Sequence, residues 1–149
     1  MRVFPPVYEN QKGRNVVRIF ALGFAGLLAF AGLAEAAIYE CEIKNRSRDG
    51  VVPPKYWVIL ENNDQQVSVF DGRIAQLYGE NALPVRSTRR GENKFMLKYK
   101  LEEVPGTDGP MAIDYRATFD RAALTVRVNG VVSGYANNSH GSGACKKIR

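Results

Sequence analysis

The chain has 149 residues, 45% of them hydrophobic and 24% charged, with a formal net charge of +6, two cysteines and one histidine. That length, once a leader is removed, holds one domain with a modest core and not two. One histidine and two cysteines that can bridge leave only carboxylates to build a metal site, so a zinc-type centre is excluded.

Lys12, Arg14 and Arg18 precede a charge-free apolar run, residues 19–34, IFALGFAGLLAFAGLA, which small residues follow. This is the layout of a secretory signal peptide, with an n-region over 1–18, an h-region over 19–34 and cleavage after Ala36, where Ala34 and Ala36 satisfy the small-residue rule. The run of 16 residues falls short of the roughly 20 that cross a bilayer, so no stable membrane span is expected after cleavage. Removing 36 of the 149 residues leaves a domain over 37–149 with 17 Lys plus Arg against 13 Asp plus Glu, a surplus of +4. The surplus slightly favours anionic partners.

The mature segment opens with AIYECEI, a strand with Tyr39, Cys41 and Ile43 on one face. Pro53 and Pro54 stop any helix before KYWVILE, an aromatic and β-branched run that reads as a second strand. VSVF is a third. Asp71-Gly72 then leads into RIAQLYG, read as a hairpin, with a helical turn over RIAQLY as the alternative. VRSTRRGENK, residues 85–94, reads as a solvated turn flanked by arginines.

KFMLKYKL, residues 94–101, alternates Phe95, Leu97, Tyr99 and Leu101 with Lys94, Met96, Lys98 and Lys100, giving one apolar face and one cationic face. EEVPGTDGP, residues 102–110, predicts an exposed loop. MAIDYRATF sets Met111, Ile113, Tyr115, Ala117 and Phe119 against Asp114, Arg116 and Thr118, and LTVRV sets Leu124, Val126 and Val128 against Thr125 and Arg127. Asn129-Gly130 predicts a two-residue hairpin turn, because a type I′ turn needs positive φ at both central positions. Val131, Ser133 and Tyr135 then return on the core side, and YANNSHGSGACKK, residues 135–147, forms an exposed glycine-rich tip. About eight short strands with no long helical stretch predict an all-β fold, a small antiparallel barrel or sandwich.

An exported chain meets an oxidising compartment in which two lone thiols pair, so Cys41 and Cys145 are expected to form a disulfide. Closing a loop of about a hundred residues is worth roughly 4 to 5 kcal/mol in the chain-entropy model. That oxidation disposes of a His140–Cys145 catalytic pair, which needs a free thiolate. GSGACK lacks the third glycine of a dinucleotide loop and the ending of a phosphate loop. The reading is therefore no enzyme, with no catalytic residue, cofactor or metal. The candidate partner-binding patch is Arg86, Arg89, Arg90, Lys94, Lys98 and Lys100, facing an acidic envelope protein or glycan. Nucleic acid is not expected of an exported chain without a recognised motif.

IYEC, YRATFD and SGYANNSHGSGACKK resemble a group of small exported bacterial β-sheet proteins of unestablished function, in which a Y-x-C stretch opens the mature domain and a G-x-G-x-C stretch closes it. The start, VSVFD and the late cysteine are also similar to the lysozyme-inhibitor barrels of the bacterial envelope. Those inhibitors use an S-G-x-x-Y loop, and Ser133-Gly134-Tyr135 is two residues too short for it, so the inhibitory role is not carried over. The expectation is a periplasmic or secreted binding module. Alternatives are an inhibitor that plugs a secreted hydrolase with loop 86–93 or 104–110, and a barrel that holds an apolar ligand among Trp57, Tyr99 and Tyr115.

Overall fold

The computed structural model describes residues 35–149, so the expected signal peptide lies outside the described residues except for its last two. The elements in chain order are β1 (Ala37–Arg46), β2 (Lys55–Glu61), β3 (Gln66–Phe70), α1 (Gly72–Tyr78), β4 (Leu83–Pro84), β5 (Arg86–Arg90), β6 (Lys94–Gly106), β7 (Gly109–Asp120), β8 (Thr125–Val132) and β9 (Asn138–Lys147). They form one antiparallel sheet in the order β4-β3-β2-β1-β9-β8-β7-β6-β5. Two meanders, β1–β4 and β5–β9, are thus joined by the pairing of the first and last strands. The two edges of the sheet, β4 and β5, are separated in sequence by Val85 alone, and Val85 N donates to Val67 O at 3.0 Å. The result is a nearly closed barrel of nine strands.

Period-two alternation decides what fills it. Tyr39, Cys41 and Ile43, then Tyr56, Val58 and Leu60, then Val67 and Val69 line the inside of the first meander; Phe95, Leu97, Leu101, Ile113, Tyr115, Ala117, Phe119, Val126 and Val128 line the second. A barrel of this strand number has an interior about as wide as its side chains, and here Tyr56, Phe95, Tyr115 and Phe119 occupy it. Tyr39 meets Phe119 with ring centroids 4.9 Å apart, and Tyr99 stacks on Tyr115 at 5.0 Å. Trp57 does not join them. It lies between the inward Tyr56 and Val58, so the pleat turns it to the outer face, where it packs 5.8 Å from Phe70.

Several local expectations are corrected. Asn129-Gly130 is not a turn: β8 runs through it, pairing Gly130 with Tyr115 on β7 and Ser139 on β9. A Cβ on Gly130 would stand 2.8 Å from Val51 Cγ1 and 3.0 Å from Tyr115 Cε1, so the glycine is there to let a ring and a loop side chain cross the strand. The chain turns later, at Ser133-Gly134, with Tyr135 N donating to Val132 O. Val131 and Tyr135 are therefore 40% and 60% exposed rather than in the core, and Leu124, just ahead of β8, is exposed as well.

RIAQLYG is the helix α1, not a hairpin. Asp71 adopts an extended conformation and its Oδ1 accepts from the backbone N–H of Arg73 at 2.7 Å and of Ile74 at 3.0 Å, an N-cap that outweighs the Asp-Gly turn signal. Residues 86–90 form strand β5 instead of a turn. Residues 102–110 are mostly a hairpin, with Gly106 paired to Gly109 around Thr107 and Asp108; a register shift between Leu101 and Val104 lets Val104 bury itself.

The C-terminal stretch is a strand too. Residues 138–147 lie between β1 and β8 as one of the inner strands of the sheet. β1 bulges between Ile43 and Asn45, and a Cβ on Gly143 would come within 2.7 Å of the Glu42 carbonyl carbon and 2.8 Å of Ile43 Cα. The glycine admits the bulge rather than loosening the chain.

Candidate functional site

Cys41 and Cys145 are direct partners in the β1–β9 register and form the disulfide, with an S–S distance of 2.03 Å. Both are buried. Cys145 points inward, while His140, five residues earlier on β9, points to solvent, so the two side chains lie on opposite faces of the strand. His140 is held by its backbone: its N–H donates to Ser47 Oγ at 3.1 Å and its carbonyl accepts from Ser47 N at 2.9 Å. Next to it, the buried Ser139 hydroxyl donates to the Asp49 carboxylate, which also accepts from Val51 N at 2.9 Å. The Ser139 hydrogen bond, more than any other contact, holds the Asp49 carboxyl below its usual range.

The barrel end under α1 carries a buried polar cluster that the sequence did not announce. The Arg73 guanidinium donates to the carbonyls of Val51 and Gly50 and to Tyr115 Oη at 2.8 Å; Tyr115 Oη donates in turn to Val51 O at 2.7 Å. Tyr56 Oη, Tyr99 Oη and Asp71 Oδ2 are buried beside this network without a protein partner among the described residues. Burial pushes the Asp71 carboxyl up, and it pushes the Tyr115 hydroxyl up to about 12 against the pull of Arg73. Burial likewise raises Tyr56 and Tyr99, so all three phenols are neutral at physiological pH. Through Arg73 and Tyr115 the cluster clamps α1 to the β1–β2 connection and to β7.

The outer face of the second meander is cationic in a specific way. Arg86 on β5 is directly opposite Lys98 on β6, and Lys98 is directly opposite Arg116 on β7. The row continues through Asn129 on β8 to His140 on β9. Neighbouring strands stand about 4.8 Å apart, and like charges directly opposite each other are destabilising. Among the described residues, Arg86, Lys98, Arg116 and the nearby Arg127 have no carboxylate within 4 Å, whereas Lys94 pairs with Asp120 at 3.6 Å and Lys100 with Glu102 at 3.0 Å. A solvent-open groove of about 1000 Å³ follows this face, lined by Arg86, Lys98, Lys100, Asp114, Arg116, Asn129 and Asn138 among others.

The six expected patch residues are thereby sorted. Arg86 and Lys98 form the unneutralised row; Lys94 and Lys100 face outward but are ion-paired; Arg90 is exposed opposite Lys94. Arg89 leaves the patch. It sits opposite Phe95, over whose ring its guanidinium lies at 5.6 Å, and it contacts Asp64 at 3.5 Å. Arg116 joins the row although the patch did not include it, and Arg127, opposite Thr118 and Ser142, lies outside the row on the same outer face; their outward alternation was visible, but the β6–β7 register that puts Arg116 beside Lys98 was not. Of the two loops considered for plugging an enzyme, one is reduced to a tight turn at 91–93 and the other is the exposed hairpin tip at 105–110; Ser133-Gly134-Tyr135 forms a further exposed turn. Comparison with protein-family models, curated proteins and solved structures yields no match for this chain.

Proposed function

We propose that this chain is an exported, non-enzymatic β-barrel module that binds an anionic partner of the bacterial envelope through the outer face of β5–β8. The observation that carries the reading is the row Arg86–Lys98–Arg116, three cations directly opposite one another with no carboxylate within 4 Å of them among the described residues. Such a row costs the fold stability, and an anion laid across it would offset that cost while gaining charge-assisted hydrogen bonds. The signal-peptide pattern of residues 1–36 supports export, and the oxidation of Cys145 away from His140 supports a binding rather than a catalytic role. Hairpin tip 105–110 carries Asp108 and no cation, so it is not the element to meet an acid. The filled interior and the outward Trp57 weigh against an apolar ligand.

Reversing two charges tests the proposal. Lys98→Glu with Arg116→Glu should weaken binding to immobilised polyanions by about tenfold or more, with wild-type binding falling as salt is raised. Polyanion binding that ignores both the reversal and the salt would overturn it.

A further inference from the structure

The groove over the cationic row contains one residue that a simple anion trap would exclude. Asp114 lines it, opposite Lys100 on β6 and Val131 on β8. Its obvious counter-ion is engaged elsewhere, since Lys100 reaches Glu102 at 3.0 Å, and among the described residues Asp114 has no ion pair within 4 Å. The groove thus offers guanidinium and ammonium donors from Arg86, Lys98 and Arg116, mixed donor–acceptor carboxamides from Asn129 and Asn138, and a free carboxylate that can only accept.

We infer that the ligand of this groove is an acidic glycan, a sugar chain carrying carboxylates and hydroxyls together. The inference rests on the anion-binding reading and narrows it. An acidic peptide offers donors only from its backbone N–H groups, set apart from its side-chain carboxylates, and a phosphatidate headgroup carries no sugar-like hydroxyls, so Asp114 repels the acidic groups of both. A uronate chain brings hydroxyl donors alongside its carboxylates: the carboxylates take the Arg86–Lys98–Arg116 row, a hydroxyl donates to Asp114, and the carboxamides of Asn129 and Asn138 complete neighbouring hydroxyls. Asp114 then acts as a specificity residue that selects sugars among anions.

The sign of one substitution separates the possibilities. Binding of the purified protein to oligogalacturonate, to polyglutamate of matched charge and to vesicles containing phosphatidate is measured by titration calorimetry for the wild type and Asp114→Asn. Asp114 is exposed on a strand's outer face, so the fold tolerates the change. The expected result is oligogalacturonate binding weakened by about fivefold in Asp114→Asn, with binding to the other two probes unchanged or tightened. If Asp114→Asn tightens binding to all three, the groove reads charge alone, and the glycan inference fails while the anion reading stands. Wild-type binding to polyglutamate or vesicles but not to oligogalacturonate would likewise sink the glycan inference and leave the anion reading in place. Failure of all three probes to bind the wild type overturns the anion reading itself.

Discussion

At the end of the barrel where β2 turns into β3, Arg121 closes the opening onto a carboxylate; at the end under α1, Arg73 closes it onto the backbone. Arg121 contacts Asp64 at 2.8 Å and donates to Glu92 O at 3.0 Å, and its guanidinium and that of Arg89 each lie 5.6 Å from the centre of the Phe95 ring. Two arginines share one acid there, and both retain solvent. Among the described residues Arg73 has no carboxylate within 4 Å, although it acts at longer range on Asp71 and Asp49. It joins three separate segments instead: the carbonyls of Gly50 and Val51 in the β1–β2 connection, its own helix, and Tyr115 on β7. A partly solvated ion pair is worth about 0 to 1 kcal/mol, because water replaces much of what is lost. A guanidinium that ties three segments together is worth more than one such pair, since removing it loses the Gly50, Val51 and Tyr115 contacts at once, even though the Gly50 carbonyl stays open to water and Val51 O keeps the Tyr115 hydroxyl.

The largest effect is expected where both ends are affected together. Replacing Cys41 and Cys145 with alanine opens the seam between the meanders, and the urea midpoint should report a loss of about 4 to 5 kcal/mol. A loss confined to a fraction of that would mean the β1–β9 pairing holds without its bridge.

The two arginine plugs can then be set against each other. Arg73→Ala should cost about 2 to 3 kcal/mol, and Asp64→Asn about 1 kcal/mol or less, in the same urea experiment. Equal costs would erase the distinction between the ends, and a larger cost for Asp64→Asn would reverse it.

The smallest effect is a dependence on pH. Burial raises the folded-state pKa of Asp71 above the unfolded value of about 3.9, so the folded chain keeps a proton that the unfolded chain releases first. Stability contributed by this group therefore falls as pH rises between the unfolded and the raised folded value. Asp49 and Asp120, both lowered by hydrogen bonds to their carboxylates, slope the other way, losing stability as pH falls through their folded values. Asp71→Asn keeps an oxygen to cap α1 and removes the falling limb. The free-energy gap between variant and wild type should shift in the variant's favour from pH 4 to pH 7; a gap constant with pH would mean Asp71 ionises normally.

Much of this architecture was legible because alternation is a local property. β1, β6 and β7 show their inward and outward residues in the sequence, and the disulfide followed from two cysteines and a signal-peptide pattern. Two of the misreadings share one physical origin: each concerned a residue whose role is set by a distant neighbour. Gly130 looks like a turn until Val51 and Tyr115 lie across it, and Gly143 looks like slack until the β1 bulge presses on it. The candidate groove was half visible for the same reason. Arg86 and Lys98 stand out in a basic segment, but Arg116 becomes their neighbour only through the turn at Thr107 and Asp108 and the register shift beyond Leu101. Asp71 gave an ambiguous signal, since an Asp-Gly pair serves a hairpin and a helix cap equally well, and Arg73 gave none.

The pairing of β1 with β9 has a consequence for the order of events during synthesis. β1 gains its β2 partner early, but its other edge must wait until nearly every residue of the domain has been made. Contacts that span so much of the chain form slowly, and an unpaired edge in the interval is a template for other chains. Glu40, Glu42 and Lys44 alternate along that waiting edge, placing charge at every second position. Until the last strand arrives, those three side chains guard the nascent protein against its own copies.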